Sequence, residues 1–256
     1  MVEKQHGPAA ATFGFREVDP EHKQSLVNDV FADVARRYDD MNDLMSAGLH
    51  RLWKDDLVAA LNLPRGGRSF RCLDVAGGTG DIAQRILDAG GTGVQVTLCD
   101  ISPEMIAEGE RRAHRKGRSE RLTFAVGNAE ALPFPDRSFD AYSIAFGIRN
   151  VTNIDAALAE AFRVMKPGGR FACLEFSRFE VPGLKQLYDA YSLAVIPALG
   201  KTVTGNGAAY RYLVESIRTF PDQHAFAAMI ERAGFARVRI RDLMGGIAAI
   251  HTSWRL

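Results

Sequence analysis

Leu73-Asp74-Val75-Ala76-Gly77-Gly78-Thr79-Gly80-Asp81 is the stretch on which the fold turns. It follows a predicted strand and opens a predicted helix. Glycines at such a junction let the backbone turn tightly and approach a ligand with no Cβ in the way. The N–H groups at the start of the helix can then bind an anionic group.

Outward from this loop the chain alternates. Strands are expected over 69–75, 94–99, 122–126, 139–145 and 170–176, with helices near 80–89, 103–116 and 154–165. That alternation implies right-handed crossovers and a parallel sheet. Pro221-Asp222 opens a helix to Ala233, and two closing strands follow over 236–243 and 246–254. Residues 183–218 read as helical, with an irregular patch at 200–207.

On the N-terminal side, Leu26, Val30, Val34 and Tyr38 recur every four residues, which predicts an amphipathic helix. A second helix is expected over 43–61. The expected organisation is a flexible tail over 1–22 and one domain over 23–256. Within it, 23–63 forms a helical cap and 64–256 an α/β core carrying the 183–218 insertion.

The 256 residues are 46% hydrophobic and 25% charged, the balance of a chain that buries a full core. Lys plus Arg number 32 against 31 Asp plus Glu, so no basic excess points to nucleic acid. Cys72, Cys99 and Cys173 lie in apolar runs without ligand spacing, which argues against zinc and for buried thiols in a reducing compartment. The N-terminus lacks the apolar core of a signal peptide, and no stretch nears the ~18 apolar residues of a spanning helix. A cytoplasmic protein is expected.

The glycines alone leave two ligands open. Gly78-x-Gly80-x-x-Ala83, with Asp100 some 20 residues on, also satisfies the loose dinucleotide pattern. The carboxylates favour the other answer. Asp74 and Asp81 place two anions around the loop, and Asp81 would repel a pyrophosphate at the helix end. S-adenosylmethionine brings an ammonium, a sulfonium and one carboxylate, which suits acidic flanks. Asp100 can accept both ribose hydroxyls, and the polar loop Asn128-Ala129-Glu130 can meet the adenine edge. Both follow carboxyl ends of strands, where open α/β sheets bind ligands.

Further motifs carry a resemblance. Lys166-Pro167-Gly168-Gly169 is similar to the turn before strand five of class I methyltransferases. Phe146-Gly147-Ile148-Arg149-Asn150 resembles the signature of the ubiquinone/menaquinone biosynthesis C-methyltransferases. So do 38–46, His50-Arg51-Leu52-Trp53-Lys54, Tyr188-Asp189-Ala190-Tyr191-Ser192, Tyr210-Arg211-Tyr212-Leu213 and Ser216-Ile217-Arg218. The resemblance covers roughly residues 22–256. It implies a Rossmann-like α/β fold, a mostly parallel seven-stranded sheet with helices on both faces, and C-methylation of a polyprenylated benzoquinol or demethylmenaquinol. It carries cofactor positions onto Thr79, Asp100, Asn128 and Ala129, beside the loop residues Gly77, Gly78, Gly80 and Asp81. Where the family often has Ser, this chain has Ala145, which leaves only its backbone to meet the cofactor.

A ring carbon attacks a sulfonium methyl only once its neighbouring hydroxyl is ionised, and a phenol titrates near ~10. No carboxylate or histidine stands beside Phe146–Asn150 in the sequence, so Arg149 is the expected stabiliser of the phenolate, with a water carrying the proton. The plainer alternative pairs Arg149 with Asp140 or Asp155 on the surface. Asn150 orients a hydroxyl or caps the next helix. Tyr38 resembles a site tyrosine or packs in the core. Phe31, Met41 and Met45 line a prenyl channel or fill the core, and His251 reads as structural. No metal is expected. The basic end 111–118 of a helix reads as a solvated turn, with a peripheral contact to anionic lipid at the inner membrane or a place in a quinone-biosynthesis complex as further expectations. The rival functions are methylation of another small molecule or RNA, and a dinucleotide-binding module.

Overall fold

The computed structural model describes residues 11–19, 22–23, 25–27, 48–118, 120–178 and 207–256. Strands β3 (Phe70–Val75), β4 (Val94–Asp100), β5 (Leu122–Val126), β6 (Phe139–Ala145), β7 (Met165–Phe176), β8 (Ala236–Leu243) and β9 (Ala248–Trp254) form one sheet in the order β5-β4-β3-β6-β7-β9-β8. The pairs β3·β4, β3·β6, β4·β5 and β6·β7 are parallel. β9 runs against both neighbours, β7 and β8. The chain reverses direction across the sheet between β3 and β6, the switch point where such sheets open a crevice.

Helices α2 (Asp81–Ala89), α3 (Pro103–Arg115), α4 (Ile154–Val164) and α6 (Gln223–Arg232) connect these strands, and α5 (Gly207–Thr219) precedes α6. Their starts are readable: Ser102, Asn153 and Asp222 each accept a backbone N–H of the first turn, which satisfies donors the helix cannot. Two large apolar clusters pack against the sheet, and a smaller third gathers Phe13, Val27 and Tyr212. One large cluster holds Leu57, Ile86, Val96, Leu98 and Leu174. The other holds Leu73, Tyr142, Leu158, Phe171 and Phe226.

The strand boundaries fall within a few residues of the sequence expectations, except that β7 begins at Met165, ahead of its glycine turn. The Gly168 N–H donates to Arg255 and the Arg255 N–H to Gly169, so the far end of the chain pairs with that turn.

The expected cap is partly described. Helix α1 (His50–Ala60) buries Trp53, Leu57 and Val58 in the core, with Trp53 edge-on to Phe176. It is joined to the sheet by Arg170, which donates to the Ala60 carbonyl. The helix expected around 26–38 lies mostly outside the described residues, as do Phe31, Tyr38, Met41, Met45, the motif at 38–46 and most of the 183–218 insertion. Residues 11–19 depart from the expected tail. β1 (Ala11–Phe13) and β2 (Arg16–Val18) pair as an antiparallel hairpin, and Phe13 stacks on Tyr212 of α5 at 4.3 Å. Burial of one aromatic ring holds a hairpin whose strands are too short to show in sequence periodicity.

Candidate active site

The glycine loop adopts the conformation its composition predicts. Gly78 and Gly80 have positive φ, as does Ala76. A Cβ on Gly77 would fall 2.7 Å from Leu98 and 2.9 Å from Asp74 Oδ2, whereas one on Gly78 would meet nothing within 4 Å. The loop is therefore packed against β4 on one side and open on the other.

Asp100 ties the loop to the next strand. Its Oδ2 accepts the Gly78 N–H at 2.8 Å and its Oδ1 the Ser102 N–H at 3.0 Å. Burial pushes its carboxyl up against these hydrogen bonds. A carboxylate has about four acceptor directions, so roughly two remain for a ribose diol. Beside it the Gly127 N–H donates to the Asp100 carbonyl, and Asn128 closes a short turn by accepting the Glu130 N–H through Oδ1. Ala129 is buried in that turn. Thr79 Oγ1 accepts from Arg112 of α3, and the loop borders a polar cavity of about 160 Å³ whose lining includes Thr79, Asp81 and Gln84.

The charge argument for the ligand needs correction at two residues. Asp81 is not a bare anion: its carboxylate takes Lys54 Nζ at 2.8 Å and Arg85 Nε at 3.0 Å. Although burial raises its pKa, these two cations hold it below the ordinary carboxylate value, so its repulsion of a phosphate is largely cancelled. Asp74 is not a fixed anion either. It is 1% exposed, and burial raises its pKa to about 7 in spite of a 2.8 Å hydrogen bond from Ser143. Its Oδ2 has no partner among the described residues. A cation placed at this buried oxygen would complete it, and a nucleoside suits the free directions of Asp100. The residues present thus fit an adenosyl group carrying a positive charge.

Ala145 ends β6, and Phe146 follows with φ +55. A Cβ on Gly147 would lie 2.5 Å from the Ala76 Cβ. Only glycine lets this turn close onto the glycine loop, and that contact sets the next residues beside the ligand crevice. The 3₁₀ turn Ile148–Asn150 then buries Arg149, 5% exposed. Its Nη1 donates to the Phe146 carbonyl at 2.6 Å and to Glu175 Oε1 at 2.7 Å, with the Phe176 ring 5.6 Å away. Surface pairing is thereby excluded: Asp140 binds Lys166, and Asp155 lies 3.9 Å from Arg232.

Glu175 is the residue that sequence reasoning missed. It sits in β7, 1% exposed, and accepts from the Arg149 guanidinium, the Arg149 N–H and the Phe176 N–H. Burial raises its pKa and Arg149 opposes that shift. The only available signal was a single acid inside the apolar run Phe171–Phe176. Asn150 does not cap α4, because Asn153 does so. Its Oδ1 accepts from Tyr212 Oη at 3.0 Å. His251 bonds the Gln223 carbonyl through Nε2 and packs on Phe226, and burial lowers its pKa, as befits a structural neutral imidazole. The basic helix end is largely compensated, with Arg111, Arg112 and Arg115 gathered on Glu108 and Arg118 on Asp88. Cys72, Cys99 and Cys173 are buried thiols.

A parallel sheet with one reversed strand near its end, a glycine loop on an acidic strand terminus and a second acid after the next strand define a class I S-adenosylmethionine-dependent methyltransferase. The same fold recurs in a SAM-dependent methyltransferase from Aquifex aeolicus (TM-score 0.57, 16% identity, 93% of this chain and 100% of that one). It recurs also in a phosphoethanolamine N-methyltransferase of Haemonchus contortus in complex with S-adenosyl-L-methionine (TM-score 0.57, 15% identity, 78% and 52%). The profile of the ubiE/COQ5 methyltransferase family matches residues 19–255, and the chain belongs to that family. It is 61% identical over 244 residues to the ubiquinone/menaquinone biosynthesis C-methyltransferase UbiE of Nitrobacter hamburgensis, covering 95% of this chain and 96% of that one. With UbiE of Brucella abortus it shares 59% over 245 residues, 96% and 91% of the two chains. Among the described residues no helix is long and apolar enough to cross a membrane.

Proposed function

We propose that this enzyme methylates a ring carbon of a polyprenylated benzoquinol or demethylmenaquinol in ubiquinone/menaquinone biosynthesis. The observation that carries the reading is the buried Arg149–Glu175 pair on a turn closed against the glycine loop. The donor supplies an electrophilic methyl group next to a positive sulfur. The chain's own task is to make the acceptor carbon nucleophilic.

Asp100, Asn128 and Ala129 hold the nucleoside, Gly77, Gly78 and Gly80 let it approach, and Thr79 and Asp81 order the loop through Arg112 and Lys54. Ala145 contributes backbone only. Arg149 stays protonated, so it does not act as the base. In a site shielded from water its charge stabilises the quinolate as it forms, while a water takes the hydroxyl proton. Glu175 keeps the guanidinium from rotating away, and Asn150 orients the ring oxygen. Tyr38 is assigned by resemblance to the same site. The enzyme works in the cytoplasm and meets its lipid-soluble substrate at the inner membrane as a peripheral visitor.

Lipid extracts of a strain lacking the gene provide the test. Complementation with this chain should remove an accumulated desmethyl quinone, whereas persistence of that precursor would refute the reading. The dinucleotide alternative is separated by calorimetry, in which S-adenosylhomocysteine should saturate the pocket and NADH should not. Flotation with liposomes of anionic lipid should carry the enzyme upward if it visits the membrane.

A further inference from the structure

The mechanism above leaves the buried hydroxyl of Tyr212 unused. Tyr212, on α5, is buried, and its Oη donates to Asn150 Oδ1 at 3.0 Å. An amide whose carbonyl is engaged in this way offers a substrate its NH2 group, and no described residue accepts from Asn150 Nδ2. Without Tyr212 the amide could turn over and present its oxygen to the same spot, where an anionic ring oxygen would be repelled.

Contacts from the N-terminal segment hold Tyr212, α5 and the Ile148–Asn150 turn from outside the α/β core. The Phe13 ring of the N-terminal hairpin stacks on Tyr212 with planes 21° apart. The hairpin turn presses on α5, since a Cβ on Gly14 would meet Glu215, and the Phe15 N–H donates to the Glu215 carboxylate. A few residues on, Lys23 is buried and donates to the Val151 carbonyl at 2.7 Å, directly after Asn150. The N-terminal segment therefore grips both sides of the catalytic turn.

We propose that Tyr212, braced by Phe13, is a positioning residue that locks the Asn150 amide with its NH2 toward the substrate, so that Asn150 and Arg149 jointly bind the ionised quinol oxygen. This rests on the quinol C-methylation reading. Burial raises the Tyr212 hydroxyl to about 12 despite the nearby Arg149 charge, so it remains a donor throughout the working range of pH.

The experiment compares Tyr212→Phe, Phe13→Ala, Asn150→Ala and Asn150→Asp with the full-length parent, using a short-chain desmethyl quinol and S-adenosylmethionine. Tyr212→Phe should lower kcat by about 10- to 100-fold, because the freed Asn150 amide no longer holds its NH2 on the charged ring oxygen. Its affinity for S-adenosylhomocysteine should stay within about twofold of the parent, since no cofactor contact is removed. The rising limb of its pH–rate profile should move to higher pH, because the quinolate has lost a donor. Phe13→Ala should show the same pattern more weakly.

Asn150→Asp keeps an acceptor for Tyr212 but has no NH2, so it should be as inactive as Asn150→Ala. The double variant Tyr212→Phe/Asn150→Ala should be no slower than Asn150→Ala alone. Unchanged kcat in Tyr212→Phe, or additive losses in the double variant, would overturn the proposal. Loss of S-adenosylhomocysteine binding in parallel with kcat would reduce Tyr212 to a structural role and overturn it too. If the parent itself fails to methylate the quinol while binding S-adenosylhomocysteine, the functional reading falls instead.

Discussion

Arg149 and Asp74 show how one side chain acquires its chemistry from what encloses it. Arg149 directs one nitrogen, Nη1, to both Glu175 and the Phe146 carbonyl and lays its guanidinium near the Phe176 ring while remaining charged. Lysine keeps the charge as a point ammonium and loses the planar group that packs there. Arg149→Lys is therefore expected to cost about 10²- to 10³-fold in kcat with S-adenosylhomocysteine affinity near that of the parent, measured by turnover and calorimetry. Asp74, raised to about 7 by burial, makes a different prediction. A carboxyl that holds its proton more tightly folded than unfolded contributes stability in acid and loses it as the pH rises from about 4 to about 7. The difference amounts to on the order of 4 kcal/mol. Asp74→Asn carries no such titration, so its melting temperature should gain on that of the parent across this window. Parallel melting curves from pH 4 to pH 8 would contradict the assignment.

At the scale of elements, the site is two turns pressed together: the glycine loop after β3 and the turn after β6. Gly147→Ala would set a Cβ 2.5 Å from Ala76. It should destabilise the fold by about 1–3 kcal/mol and weaken S-adenosylhomocysteine binding together with turnover, because it displaces both turns at once. Asn153→Ala removes the cap of α4 and should cost about 1 kcal/mol in thermal unfolding while kcat is retained. The glycine loop, the acid at the end of β4 and the Asn128 turn were legible because each follows a strand at a fixed offset and needs only local chemistry. Partners across the sheet were not. Glu175 lies 26 positions from Arg149, and Asp81 meets Lys54 across 27. Nothing in the spacing of such residues announces that a crossover will bring them into contact. The reading of Asp81 as a free anion failed for that reason.

At the scale of the whole molecule, the sheet was legible because strands and helices of ordinary length alternate, and right-handed crossovers leave few ways to arrange them. The hairpin at 11–18 was not, since two three-residue strands carry no periodicity and are held by a ring 199 positions away. The C-terminus closes the sheet. Arg255 stacks on Phe162 at 4.5 Å and donates to the carbonyls of Phe162, Arg163 and Met165. Arg255→Ala should lower the melting temperature through the loss of about 1–3 kcal/mol, with kcat unchanged well below that temperature.

The placement of β9 between β7 and β8 has a consequence for synthesis. As the chain leaves the ribosome, β7 can pair with β6, but the edges of β7 and β8 that β9 will cover stay bare until residues Ala248–Trp254 have emerged. Until then the strand bearing Glu175 presents unpaired amides and carbonyls along that edge. A chain halted before Ala248 would therefore be adhesive, a natural client for chaperones and proteases.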